Sequence, residues 1–293
     1  MSRPAGGGAP RARGGWARRA ALGLALLPAL AGCVSEAQEK DLGSQIAANL
    51  NARLPLVQDA PLNLYVNDLG NLVARHSARP DLTYHFYIVD SDAVNAFALP
   101  GGYVYVNRGL IARTSNVAEL AGVLAHEVAH VALRHGARNL ERQMRTSGMS
   151  SLLYRKILGR GPILDQQALQ VGSELWTASH SRADETAADQ EAVKYLISTG
   201  VDPNGMVELF QELMREERNN PQAPTAEWFS THPATARRLA LTTRTIHQLL
   251  PRGDSAEGKP LARNNASYPL FLARMQMLPP SPPLIPGLQV PIH

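Results

Sequence analysis

His126-Glu127-Val128-Ala129-His130 places two imidazoles four residues apart, with a carboxylate directly after the first. On a helix, positions i and i+4 share a face, so His126 and His130 can grip one zinc ion while Glu127, one position round, faces a water. Composition alone yields such a match in roughly one chain in a hundred of this length. The setting is also unusual, because Leu120 to Leu133 is apolar on nearly every side. An apolar helix excludes two histidines and a glutamate unless a metal or a hydrogen-bonded core cluster satisfies them.

A catalytic zinc takes a third protein ligand and keeps a fourth position for water or substrate. No His-rich continuation of the metzincin kind follows His130, so the third ligand comes from elsewhere in the chain. Ser181-Arg182-Ala183-Asp184-Glu185-Thr186-Ala187-Ala188-Asp189 offers it. Glu185 and Asp189 are again i and i+4, on a helix that Ser181 can cap. Glu185 reads as the third zinc ligand, giving one Zn2+ per chain. Asp189 reads as the carboxylate that receives an N–H from a ligating imidazole and fixes its tautomer. Taken alone, the pair would be a solvated acidic face. His135 lies off the ligand face, as a surface group or a support for a ligand, and His180 is placed to line a cleft.

These side chains need a frame to hold them. Apolar residues at helical spacing predict helices over 39–54 and 62–78, separated by Pro55 and Pro61. Alternation predicts strands at 83–89, 93–99 and 103–106, the last two joined by Pro100-Gly101-Gly102. Asn116 with Glu119 starts the HExxH helix, which should run to about His135 and stop at Gly136. Further helices are expected over 142–177, over 182–199 closed by Gly200, from Asp202-Pro203 to Glu217, and over 233–250, with 218–230 a polar loop. The class is therefore α+β and mainly helical, with a small sheet.

HExxH, then Ser-Arg-x-x-Glu-x-x-x-Asp, then Thr231-His232-Pro233 with Arg238 five residues later, resembles the gluzincin metallopeptidase family of HtpX, the CAAX prenyl endopeptidase and BepA. The segment Asn95-Ala96-Phe97-Ala98-Leu99-Pro100-Gly101-Gly102-Tyr103 is similar to that family's substrate-side strand. The resemblance covers residues 39–250 and implies a zincin-like fold in which an edge strand flanks the active-site helix. It implies that His126, His130 and Glu185 hold zinc, that Glu127 is the catalytic base, and that Arg238 pairs with a carboxylate of the site. It places His232 at the metal, either as a fourth ligand that silences it or as a stabiliser of the oxyanion. Asn95 and Ala96 would bind the substrate backbone by strand addition, a mode that selects extended, unfolded chains. The sequence lacks the transmembrane helices of the polytopic members and has no room after residue 250 for BepA's helical repeats. It is thus most similar to the compact periplasmic lipoprotein members.

The chain has 29 Lys plus Arg against 25 Asp plus Glu, for a formal charge of +4. Arg3, Arg11, Arg13, Arg18 and Arg19 lie in the first 32 residues, which hold no acid, so the remainder is close to neutral and a nucleic-acid partner is not expected. Those arginines precede an apolar run, Ala20 to Leu30, shorter than the roughly 20 residues that span a bilayer, as in an export signal. Leu30-Ala31-Gly32-Cys33 resembles the bacterial lipobox, whose cysteine is cut free and lipidated, and Cys33 is the only cysteine. Residues 1–32 are therefore expected to be a signal peptide, 33–38 a lipidated cysteine and short linker, 39–250 the metallopeptidase domain and 251–293 a Pro-rich tail. Val34 after the cysteine favours the periplasmic face of the outer membrane. The expected function is a lipid-anchored zinc endopeptidase acting on unfolded or misassembled envelope proteins, with the outer-membrane assembly machinery as a partner. The alternatives are a chaperone or assembly factor using the same cleft with little proteolysis, and a metal-free scaffold.

Overall fold

A computed structural model describes residues 34–146, 180–220, 225–233, 235–251, 255–256 and 259–283. The export segment, Cys33, the stretch expected to be helical from 147 to 177, and the last ten residues lie outside the described residues.

Helix α1 (Glu36–Asn51) opens on a capping box, with the Ser35 hydroxyl accepting from the Gln38 N–H and the Gln38 side chain returning to the Ser35 N–H. Helix α2 (Ala60–Ala74) is capped by Asp59 and carries Pro61 in its first turn, where no N–H is missed. Three strands follow: β1 (His85–Val89), β2 (Ala96–Leu99) and β3 (Tyr103–Asn107). Their order is β1-β3-β2, with β1 parallel to β3 and β2 antiparallel to it, so β2 is an edge. Gly101 and Gly102 turn the chain between β2 and β3 at φ 84° and 99°.

After the short α3 (Arg108–Ile111) comes α4 (Val117–Ala132), the HExxH helix. Asn116 caps it by accepting from the Glu119 N–H at 3.1 Å, and the Glu119 carboxylate accepts from the Ser115 N–H at 2.6 Å. Every residue of α4 is buried, as its all-round apolar sequence requires. It packs against α2, the sheet, α6 (Arg182–Thr199) and α7 (Asn204–Asn219). The approach to α7 is close: a Cβ on Gly122 would lie 2.9 Å from Met206 Cα, and one on Gly205 would lie 2.6 Å from the Ala118 carbonyl carbon.

The end of α4 differs from the sequence expectation. The helix stops at Ala132, Arg134 takes a left-handed conformation at φ 57°, and α5 (His135–Thr146) starts at once, so Gly136 lies inside α5 rather than ending α4. Gly136 is small because the helix passes Pro100; a Cβ there would come 3.3 Å from Pro100 Cγ. Arg134 is held in its turn by the buried Glu39, at 2.6 Å from Nε, and Glu39 also pairs with Arg79 at 2.9 Å. Arg134 also donates to the Val34 carbonyl at 2.6 Å, while the Val34 N–H donates to Glu141 at 2.7 Å.

Ser181 caps α6 through the Asp184 N–H, and Gly200, at φ 77°, closes it. The stretch read as a polar loop contains a short helix, α8 (Ala226–Thr231), because Trp228 is driven into the core at 1% exposure. Thr235 caps α9 (Ala236–Leu249). Beyond residue 251 the chain is not simply a tail. A small hairpin of β4 (Ser255–Ala256) and β5 (Lys259–Pro260) leads to α10 (Tyr268–Gln276), whose Tyr268, Phe271 and Met275 are buried against the domain. Asn265 starts α10 by accepting from the Tyr268 N–H at 2.9 Å, and Phe271 stacks on Tyr65 of α2. The architecture is α+β and mainly helical, with β2 at the sheet edge packed against α4.

Candidate metal centre

His126 and His130 emerge one turn apart from the middle of α4, and Glu185 reaches them from the first turn of α6. His126 Nε2 and His130 Nε2 stand 3.0 Å apart. The Glu185 oxygens lie 3.5 Å from the first and 3.2 Å from the second. His232, at the end of α8, brings Nδ1 to 3.3 Å from His126 Nε2 and 3.2 Å from Glu185 Oε1. Zinc–nitrogen bonds of about 2.0–2.1 Å in a tetrahedron put neighbouring donors roughly 3.3 Å apart. Five donor separations, 3.0–3.5 Å with Glu185 contributing either oxygen, are close to the edges of such a tetrahedron. All four side chains are buried, with ligand atoms mutually within 4.8 Å. Two imidazoles and a carboxylate are the donor chemistry of a catalytic zinc, and zinc is the cofactor the site fits.

Glu127 gives a second test of the fit. It is fully buried, and neither carboxylate oxygen has a hydrogen-bond partner among the described residues; its nearest recorded neighbour is His232 Nε2 at 3.6 Å. A buried carboxylate without partners is costly unless something the site binds meets it. Burial pushes its carboxyl up from the ordinary range.

The supports behind the donors also assemble. Asp189 Oδ1 is 3.0 Å from His126 Nδ1, the arrangement that turns the His126 Nε2 lone pair towards the metal position. Arg238, from α9, grips Asp189 with Nε at 2.5 Å and Nη2 at 2.9 Å, and reaches Glu185 with Nη1 at 2.5 Å. Burial works against the Asp189 carboxylate, but the guanidinium outweighs it and holds the group below its ordinary value. Burial opposes Glu185 as well; its electrostatic interaction with His232 and hydrogen bonds from the imidazoles hold it well below the usual range. For His126, burial favours the neutral ring, yet hydrogen bonding to Asp189 and Glu185 raises it to about 9. Burial takes His130 well below its usual value. A protonated His126 cannot ligate, so loading a metal here expels a proton.

Residues that sequence reasoning passed over or left open complete the wall. Trp228 stacks on His232 with ring centroids 4.5 Å apart, and Phe210 lies under the Arg238 guanidinium at 5.1 Å. The Trp228 signal was its place four residues before His232, one helical turn away. His180 stacks on His130 at 4.0 Å, and burial lowers it to about 3. His135 is no surface group: at 1% exposure its Nδ1 lies 2.9 Å from His130 Nδ1, and burial lowers it to about 4. Asn95 and Ala96 open β2, both side chains buried, and the Asn95 carbonyl accepts from the Asn107 N–H. The antiparallel alternation then turns the backbone groups of Ala96 and Ala98 away from β3; Ala96 is fully buried and Ala98 partly so. Ala98, Leu99, His130 and His180 line one recess beside the donors.

Residues 61–245 match Peptidase family M48. The chain is 31% identical over 220 residues to a beta-barrel assembly-enhancing protease of Yersinia pestis, covering 73% of this chain and 45% of that protein. It is 29% identical over 224 residues to the Escherichia coli K12 protein of the same name, covering 74% and 46%. To the metalloprotease LoiP of Escherichia coli K12 it is 27% identical over 214 residues, covering 70% and 79%. It thus spans less than half the length of the barrel-assembly-enhancing proteases. The four donors, Glu127, Asp189 and Arg238 all fall inside the matched stretch, and the chain belongs to peptidase family M48.

Proposed function

We propose that this protein is a zinc endopeptidase of the bacterial envelope, anchored through Cys33, that hydrolyses unfolded or misassembled envelope proteins. The observation that carries the reading is Glu127, a buried carboxylate without a hydrogen-bond partner beside four clustered donor side chains. When bound by His126, His130 and Glu185, zinc supplies the Lewis acidity that makes a water reactive near neutral pH. Glu127 accepts the proton of the attacking water and delivers it to the leaving amine, a role its raised pKa suits. Asp189 and Arg238 hold His126 and Glu185 in place throughout. The side of β2 turned away from β3, at Ala96 and Ala98, takes the substrate backbone as an added strand once the site opens, with Asn95 setting its register against β3; this mode requires an extended chain and so selects for disorder.

His232 serves as the fourth donor of a resting state. Its Nδ1 stands at the distances of a ligand, and every donor is at most 3% exposed, so this reading requires the site to open and His232 to withdraw before peptide binds. Support for an envelope substrate comes from the names of the relatives, beta-barrel assembly-enhancing protease among them. No described helix is long and apolar enough to cross a membrane, which is compatible with attachment by lipid.

The test sets Glu127→Gln beside His232→Ala in the full chain. Glu127→Gln is expected to keep stoichiometric zinc while hydrolysis of an unfolded polypeptide falls at least 10²-fold. His232→Ala is expected to keep zinc and hydrolyse faster. Absence of hydrolysis by the zinc-loaded unaltered chain overturns the peptidase reading, and unchanged hydrolysis in Glu127→Gln overturns Glu127 as its base; relief of envelope stress that survives this change assigns the cleft to binding.

A further inference from the structure

We propose that His135 is a positioning residue that selects the tautomer of the ligand His130, acting as the middle member of a carboxylate–imidazole–imidazole relay that begins at Asp184. This rests on the zinc reading of the site and adds to it a support that differs from the one behind His126.

His135 Nδ1 lies 2.9 Å from His130 Nδ1, and His135 Nε2 lies 3.5 Å from Asp184 Oδ1. A carboxylate only accepts, so the negative field of Asp184 at 3.5 Å favours hydrogen on the His135 nitrogen that faces it. A neutral imidazole has a single N–H, which leaves His135 Nδ1 as an acceptor. It then takes the Nδ1–H of His130, and the His130 lone pair is left on Nε2, the atom that faces His126, Glu185 and the metal position. Asp184 is itself fixed: its Oδ2 accepts from the Ser181 hydroxyl at 2.6 Å and pairs with Arg142 at 3.3 Å. The two ligand imidazoles are thus oriented by different devices, His126 by Asp189 directly and His130 by Asp184 through a second ring.

The backbone shows what the arrangement depends on. Residue 135 would not fall on the ligand face if α4 ran on unbroken, since five residues advance the helix by 500°, about 140° away from that face. The left-handed Arg134 breaks the helix at that point and swings His135 beneath His130, and Arg134 is tied down by the buried Glu39. A non-glycine residue in this region costs free energy and persists where surrounding contacts enforce it.

The experiment measures zinc affinity by chelator competition in the full chain, with folding followed by circular dichroism. His135→Phe keeps ring volume without an acceptor and is expected to weaken zinc binding 10- to 100-fold. His135→Asn restores an acceptor at the Nδ1 position and should recover affinity to within about threefold. Asp184→Asn, near the surface, should weaken zinc in the otherwise unaltered chain and have no effect in the His135→Phe background, because its influence passes through His135. Equal affinities for His135→Phe and His135→Asn, or additive effects of Asp184→Asn and His135→Phe, overturn the proposal. If His135→Phe does not fold, the cycle of Asp184→Asn with His135→Asn decides: asparagine has no nitrogen at the Nε2 position to meet Asp184, so the effect of Asp184→Asn is expected to vanish there, and its persistence refutes the relay. Failure of the unaltered chain to bind zinc refutes the underlying site reading instead.

Discussion

Arg238 meets two carboxylates at once while only 4% exposed, and stacks on Phe210. Its removal strands two buried negative charges, so Arg238→Ala should cost about 3–5 kcal/mol, read from chemical denaturation at pH 7. Lysine cannot reproduce the planar double contact and should rescue little. The pH dependence follows from Asp189, whose carboxyl lies below its ordinary value of 3.8 in the folded protein. Its contribution is whole above 3.8 and is lost as pH falls through the depressed value, so the gap between the two proteins narrows in acid. At this scale legibility followed locality. His126, Glu127 and His130, and Glu185 with Asp189, declare themselves by i, i+4 spacing. Arg238 and His232 were readable only through family resemblance, because nothing local ties residue 238 to 189. His135 was left between a surface group and a support for a ligand, because its contact with His130 depends on the left-handed Arg134, which spacing does not show.

The site needs α4, α6 and α9 to stay in register, and the tightest constraint on α4 is its approach to α7. Alanine at Gly122 gains about 1 kcal/mol of intrinsic helix preference. Its Cβ would nevertheless lie 2.9 Å from Met206 Cα, backbone that cannot rotate away. Gly122→Ala should therefore be net destabilising by about 1–3 kcal/mol, visible as a lower denaturant midpoint. Periodicity and caps located most elements: Asn116 and Ser181, read as caps, each accept a backbone N–H at a helix start, while Asp59 and Thr235 do the same two or three residues from the starts expected at 62 and 233. The failures have physical causes. Gly136 looked like a helix stop but serves the passage of α5 past Pro100. Trp228 sat among polar residues that hid a buried turn, for a single aromatic side chain can outweigh a hydrophilic window.

Across the whole molecule, the segment after residue 251 belongs partly to the core. Tyr268 is fully buried, hydrogen-bonds Thr114 just before α4, and sits with Phe271 beside Tyr65. Tyr268→Ala should cost about 3–5 kcal/mol, measured as a fall in thermal midpoint of the full chain. Six prolines in the last fifteen residues coloured the reading of everything after 251, while the three anchors of α10 are too few to form a conspicuous pattern. The four residues that could hold a metal, 126, 130, 185 and 232, are brought together only by the folded domain, and all are buried in it. A metal enclosed in this way exchanges through opening of the molecule. Its loss to a strong chelator should proceed at a rate independent of chelator concentration, making the site a slow store of zinc as well as a tight one.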